Sequence, residues 1–442
     1  MVNQERAARQ TTEGSIVHEP HSVAIQAAPS RALRVALVHA SDHGGGAESA
    51  VVRIHRALGR LGHESHLFVG SRSRDDPTTS EIARPRIFPG LNRSSAWASS
   101  ITGLQTLYAP GFRRLMRTLD QDVVHVHTLW GAHGYADLGG LAAVTSRRPT
   151  VITLHEAWMM TGHCACPYGC DRWRKGCGDC PDLRRVPAVS RDATRLNWAR
   201  KRRVIRQIRA EFTTVSRWLA ARAAESPILE GQSVTVVHEP IDEVTFVPGS
   251  REQARRHLGI PDDAFVVMMA GQSVEGVREG IALEGLAAVA RCGIPRLLAL
   301  LIGHSSELAA ERARPTAART LRFQDPAGLA TCYRASDVTL VASTYETFGL
   351  IAAESSACGT PVVAFATGGL PEIVDDGRTG WIVPSGDVDG LSAALLRAAE
   401  DRLRLRAMGD LAAAKARDCF SSGAIARRYV EVYEKAIAAR EG

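Results

Sequence analysis

Residues 343–387 read STYETFGLIAAESSACGTPVVAFATGGLPEIVDDGRTGWIVPSGD. The apolar run DVTLVAS (337–343) leads into them and reads as a strand ending at Ser343. A helix is expected to begin near Phe348 and Gly349, so the loop amides between face whatever lies beyond the strand end. A helix N-terminus beside a glycine is a ready anion site and suits a diphosphate. Glu346 lies in the loop, and Glu354 follows eight residues later, about two helical turns on. That spacing lets both carboxylates face one pocket. One could accept hydrogen bonds from a sugar ring, the other from a ribose diol. After the next strand, PVVAFAT (361–367), Thr367, Gly368 and Gly369 form a second loop where backbone can approach closely.

The same alternation runs outward in both directions. AFVVMMAG (264–271), RLLALLIGH (296–304) and LRFQD (321–325) read as further strands of this half. Helical periodicity fills the gaps in GIALEGLAAVARCG, PAGLATCYRAS, GLIAAESSACG and VDGLSAALLRAAED. In the N-terminal half, RVALVHA (34–40), ESHLFVG (64–70), DVVHVHT (122–128), TVITLH (150–155), FTTVS (212–216) and VTVVHE (234–239) read as strands. Buried-type strands alternating with helices predict an α/β protein of two Rossmann-like, doubly wound domains facing a central cleft. Ligands of such sheets bind beyond the strand C-termini, here in the cleft. The expected layout is a disordered tail over 1–32, an N-terminal domain over 33–240, a C-terminal domain over 241–416 and a closing helix over 417–442. His125 and His127 share one side of a strand, and each reads equally as a core histidine or a ligand contact.

The chain has 442 residues, 45 % of them apolar and 23 % charged, which allows two cores in an ordinary globular protein. No apolar run approaches the ~20 residues that span a bilayer. MVNQERAARQTTEGSIVHEP lacks a signal-peptide pattern, so a cytoplasmic protein is expected. Much of the net charge of +7 sits in RLNWARKRRVIRQIRA (195–210). That run reads as a solvated helix face, or as a contact to an anionic acceptor or to lipid at the inner face of a membrane. No recognition-helix or RNP-like pattern accompanies it, which argues against nucleic acid.

The stretch 343–387 resembles the signature segment of the family 4 retaining glycosyltransferases of the GT-B fold, whose Glu-x7-Glu pair falls on Glu346 and Glu354. HASDHGGGAE resembles their N-terminal glycine loop, DVVHVHTLWG their H-x-H strand end, and TLHE the strand bearing an active-site histidine, here His155. VTVVHEPID resembles an interdomain segment that usually ends in Asn-Gly-Ile-Asp, and the likeness runs in order over about residues 33–440. It implies transfer of a sugar, with retention and without a catalytic cofactor, from a UDP- or GDP-sugar. The acceptor would be a glycan, a lipid-linked molecule or a small molecule, in polysaccharide or glycoconjugate assembly. It further implies that Glu354 binds the ribose and Glu346 the donor sugar. The backbone of Thr347, Phe348, Gly349 and Leu350 would neutralise the diphosphate. Gly271, Gln272, Arg278, Gly368 and Gly369 would complete the donor side, while Gly45, Gly46, His127 and His155 would serve the phosphates and the acceptor.

Three sites, four residues in all, depart from that pattern. Gln272 stands where the family carries an Arg, Glu279 where it carries a Lys, and Glu239-Pro240 replaces Asn-Gly. Arg278 neighbours the Lys position, but adjacent helix positions point about 100° apart. A non-catalytic or partner-dependent nucleotide-sugar-binding relative therefore stands as the alternative.

GHCACPYGCDRWRKGCGDCP (162–181) follows the His155 strand and holds five of the nine cysteines. A catalytic thiol, a disulfide and free thiols are all compatible with its composition. The spacing Cys170-x6-Cys177-x2-Cys180 with one upstream cysteine suits a tetrahedral zinc staple. The loop also resembles a TGHC…C..W..GC..CP pattern in a subset of the family, which implies Cys164, Cys170, Cys177 and Cys180 as the four ligands and Cys166 as a spare. Cys292, Cys332, Cys358 and Cys419 lie on helical patterns and are expected to be buried packing residues.

Overall fold

The computed structural model describes residues 31–83, 97–99, 101–131, 134–270, 277–291, 293–303, 306–322 and 324–441. The expected tail up to position 30, Gly271, Gln272, Cys292 and Phe323 lie outside the described residues. So do the side chains of Arg278 and Glu279, whose backbone belongs to the helix Val277–Arg291.

The first sheet contains β1 (Arg34–Ser41), β2 (Glu64–Ser71), β3 (Thr79–Glu81), β4 (Val123–Val126), β5 (Thr150–Leu154), β6 (Glu211–Thr214) and β7 (Val234–Val236). Their order is β3-β2-β1-β4-β5-β6-β7, and every pairing is parallel. Val35, Leu37, Val124, Val126, Val151 and Ile152 are completely buried, as expected for central strands covered on both faces.

The second sheet contains β8 (Phe265–Ala270), β9 (Leu297–Ile302), β10 (Ala317–Leu321), β11 (Val338–Val341), β12 (Val362–Phe365) and β13 (Gly380–Val383), in the order β10-β9-β8-β11-β12-β13 and again all parallel. One expected strand is displaced. LRFQD (321–325) contributes only Leu321, because Asp325 instead caps the helix Pro326–Ala335 by accepting from the Gly328 amide at 2.7 Å. The edge strands β3 and β13, three and four residues long, have no counterpart among the expected strands.

The described residues from Ala32 onward pack as one unit, and the chain passes twice between the sheets. At the crossing, Ile241 N donates to Phe420 O at 2.7 Å and Ser422 N donates to Ile241 O at 3.0 Å. The helix Ser422–Glu441 then returns to the first sheet, where Ile425, Tyr429 and Tyr433 join a core with Val35, Leu37, Val51 and Val151. Full burial of such side chains stabilises the fold by about 1.5–3 kcal/mol each.

Candidate functional site

Two helix starts meet at the strand ends. The helix Gly46–Arg60 follows β1, and the helix Leu350–Ala357 follows β11. Several other helices open with a side-chain cap: Asp137, Ser216, Ser250, Asp325 and Asp387 each accept from an amide three residues on. Gly45 and Gly349 begin their helices without one, which leaves first-turn amides for another acceptor. A methyl added at Gly46 would come within 3.0 Å of Leu350 Cδ1, so the two starts adjoin.

The Glu346 loop rests on the glycine pair. Gly368 has φ +60°, and a Cβ there would fall 1.5 Å from Glu346 O. Gly369 N donates to Glu346 O at 3.1 Å, and a Cβ on Gly369 would lie 2.7 Å from Phe348 O. These glycines are thus demanded by packing against residues 346–348. Thr347 is half-buried in the same loop. Phe348 itself is buried among aromatic rings, 5.7 Å from His238 and 5.4 Å from Phe420 between centroids.

Glu354 is buried, and its Oε1 lies 2.5 Å from Arg53 Nη2 of the helix Gly46–Arg60. Arg53 Nη1 also donates to Pro240 O at 3.0 Å, on the crossing segment. Burial raises the Glu354 carboxyl above its usual range and the Arg53 charge opposes that rise. A second carboxylate joins the halves. Glu372 accepts from the amides of Arg217 (2.9 Å) and Trp218 (3.0 Å) and pairs with His238 Nε2 at 3.0 Å. Burial works against ionisation of Glu372, yet these hydrogen bonds hold its carboxyl below its usual range.

Four histidines cluster at the ends of β1, β4 and β5. His125 is a satisfied core residue: Nδ1 meets Tyr433 Oη at 2.8 Å and Nε2 meets Thr153 Oγ1 at 2.6 Å. His127 Nδ1 lies 2.9 Å from His155 Nε2, and His155 Nδ1 lies 2.9 Å from Glu239 Oε1. His39 packs beside them, 5.9 Å from His127 and 6.1 Å from His155 between ring centroids. Burial depresses His39 to about 3, with His155 adding to the effect, and holds His125 and His127 well below the usual imidazole range.

The cysteine loop encloses a cavity of about 20 Å³ lined by Cys164, Cys170, Cys177 and Cys180 together with His163, Thr161 and Trp173. All five loop cysteines are free thiols. Among the described residues no group of three or more His, Cys, Asp or Glu is already gathered as a metal site. Burial pushes Cys164 up to about 11 and Cys177 to about 12, the opposite of an activated nucleophile. Cys332 and Cys358 are buried as expected, but Cys419 is exposed, because it falls on the outer face of the helix Arg402–Phe420.

The basic stretch divides between inside and outside. Lys201 is buried and donates to Trp158 O and Thr161 O, Arg200 donates to Gln105 O, and Arg202 and Arg206 pair with Glu230. Arg195, Arg203 and Arg209 are exposed. Among the described residues no helix is long and apolar enough to cross a membrane.

Residues 250–415 match the family model described as glycosyl transferases group 1, and residues 44–244 match that of glycosyltransferase family 4. A D-inositol 3-phosphate glycosyltransferase of Actinosynnema mirum is 30 % identical over 380 residues, 80 % of this chain and 84 % of that one. Another, of Saccharomonospora viridis, is 37 % identical over 224 residues, where the alignment spans 48 % of this chain and about half (52 %) of the relative. The sucrose-phosphate synthase of Thermosynechococcus elongatus superposes with a TM-score of 0.66 at 21 % identity, covering 92 % of this chain and 100 % of its own. Anabaena Alr3699/HepE, solved in complex with UDP and glucose, gives 0.65 at 18 % identity, covering 91 % and 99 %. Two parallel sheets with adjoining helix starts at their strand ends thus define the GT-B architecture. The chain belongs to the family 4 glycosyltransferases.

Of the residues the sequence had marked, Gly45, Gly46, His127, His155 and Glu346 follow the C-terminal ends of β1, β4, β5 and β11, and Glu354 lies within the helix Leu350–Ala357. The structure adds Arg53 and Glu372, which periodicity marks only as polar positions on helices.

Proposed function

We propose that the protein transfers a sugar, with retention of configuration, from a UDP- or GDP-sugar to a hydroxyl of a glycan, lipid-linked or small-molecule acceptor. The carrying observation is the meeting of two uncapped helix starts, Gly45–Gly46 and Gly349–Leu350, beside Glu346. A diphosphate placed there would accept hydrogen bonds from the amides of Thr347, Phe348, Gly349 and Leu350 and gain from both helix dipoles. As the diphosphate leaves, its developing charge is what those amides stabilise. Glu346 would hold the sugar hydroxyls, and Glu354, once Arg53 shares it, the ribose diol. Gly271, Gln272 and Arg278 would lie on the donor side, with Gly368 and Gly369 supporting the Glu346 loop. Uridine as the base is favoured by the likeness to the HepE complex with UDP and glucose.

The same reading gives Cys164, Cys170, Cys177 and Cys180 a structural zinc, because all four line one small cavity and Cys166 does not. Contact with an anionic lipid surface at the inner face of a membrane would run through Arg195, Arg203 and Arg209 and would weaken with salt.

A thermal-shift panel with UDP-, GDP-, ADP- and dTDP-sugars tests the donor. Ligand at 100 times its dissociation constant adds ~2.7 kcal/mol of stability, and the expected result is a shift with UDP- or GDP-sugars alone. A folded sample that responds to none would favour a partner-dependent or non-catalytic relative, in keeping with Gln272 and Glu279.

A further inference from the structure

Glu239 stands where the resembled family has Asn, and the structure gives the departure a consequence. Its carboxylate is buried, 6 % exposed, and lies 2.9 Å from His155 Nδ1. A carboxylate can only accept, so His155 Nδ1 carries a proton. In the neutral ring, His155 Nε2 is then a lone pair. It can only accept from Nδ1–H of His127, 2.9 Å away. With Nδ1 protonated, neutral His127 keeps its lone pair on Nε2.

Both nitrogens of His155 are therefore used within the protein. The free nitrogen of the chain is His127 Nε2, which is buried and has no hydrogen-bond partner among the described residues; neither nitrogen of His39, packed against it, has one. Glu48 Oε1 approaches His39 Nε2 only to 3.8 Å. Buried polar atoms without partners are rare, and three together mark a place that another polar group completes. A sugar hydroxyl fits: it donates one hydrogen bond and accepts others, so it can satisfy the His127 lone pair and an N–H of His39 at once.

We infer that Glu239 is a positioning residue that fixes the tautomers of His155 and His127, so that His127 Nε2, rather than His155, accepts a hydrogen bond from a sugar hydroxyl. The first half of this statement rests on geometry alone. The second rests on the reading of the cleft as a sugar-transfer site.

Long-range ¹H–¹⁵N spectra of histidine-labelled protein test both halves, on the wild type, Glu239→Asp and Glu239→Gln, with and without UDP-glucose. Wild type and Glu239→Asp are expected to show His155 and His127 protonated on Nδ1 only. Glu239→Gln, whose amide can donate or accept, is expected to show mixed tautomers at the same melting behaviour. UDP-glucose is expected to move the His127 Nε2 resonance in the wild type. A doubly protonated His155, an Nε2-protonated His127 or unmoved tautomers in Glu239→Gln would overturn the positioning role. A response at His155 with none at His127, or none anywhere while UDP-glucose raises the melting temperature, would overturn the ligand assignment. If neither UDP-glucose nor GDP-mannose, added in its place, changes the spectra or the melting temperature, the donor reading and the ligand assignment fall together, and the tautomer result alone decides the role of Glu239.

Discussion

Arg53 and Glu354, 301 residues apart, form an ion pair with 2.5 Å between Nη2 and Oε1, the carboxylate buried and the guanidinium partly buried. One belongs to a helix on the first sheet and the other to a helix on the second. The pair therefore ties the two halves at the carboxylate proposed to hold the donor ribose.

Removing one partner strands the other. Arg53→Met is expected to destabilise the protein by about 3–5 kcal/mol, since Glu354 would remain buried without a counter-charge. Adding Glu354→Gln should recover part of that loss while leaving donor affinity low. Urea unfolding of the two single variants and the double variant measures the coupling.

Gly368→Ala is expected to cost roughly 2–4 kcal/mol, through a positive φ and a methyl driven into Glu346 O. Relief can come only by moving the Glu346 loop, so transfer activity should fall further than the melting temperature alone accounts for. Ala at Gly377, which also has positive φ but meets nothing within 4 Å, is the control for backbone strain by itself.

The histidine cluster makes the fold sensitive to mild acid. Unfolded imidazoles take up protons near pH 6.5, whereas folded His39 does so only at about 3, with His125 and His127 also held well down. Between those values the unfolded state binds more protons, so stability falls as the pH drops below about 6.5, by ~1.4 kcal/mol per pH unit for each such histidine. Urea midpoints between pH 7.5 and 5 should show this slope, and His39→Asn should reduce it by about one proton's worth.

Elemental analysis of protein purified without chelator should find one zinc per chain. Cys164→Ser or Cys177→Ser should abolish it and lower the melting temperature, while Cys166→Ser, which does not line the cavity, should keep both. Zinc-free wild type with all thiols titratable would refute the staple.

Strong local patterns were legible in the sequence. Val-rich runs such as VVHV and VVAF read as buried strands, and Glu346 and the glycines marked the strand-end loops. What failed was local ambiguity. Residues 321–325 look like a strand until Asp325 is seen as a cap, and Cys419 looks like a core residue until its helix face is known. Contacts across the cleft were silent for a different reason. Arg53 and Glu372 obey the amphipathic pattern of their own helices, and nothing within a single helix says which distant group its polar face will meet.

The return of the helix Ser422–Glu441 to the first sheet also has a temporal meaning. During synthesis the ribosome delivers β1 to β7 long before Tyr429 and Tyr433, the side chains that close over His125 and Thr153. The second half can pack as soon as it emerges, but the earlier half waits for the latest-made turns. Co-translational assembly of this molecule therefore runs out of sequence order, and a ribosome stalled before codon 422 would hold an N-terminal half with an open apolar face, a natural target for chaperones.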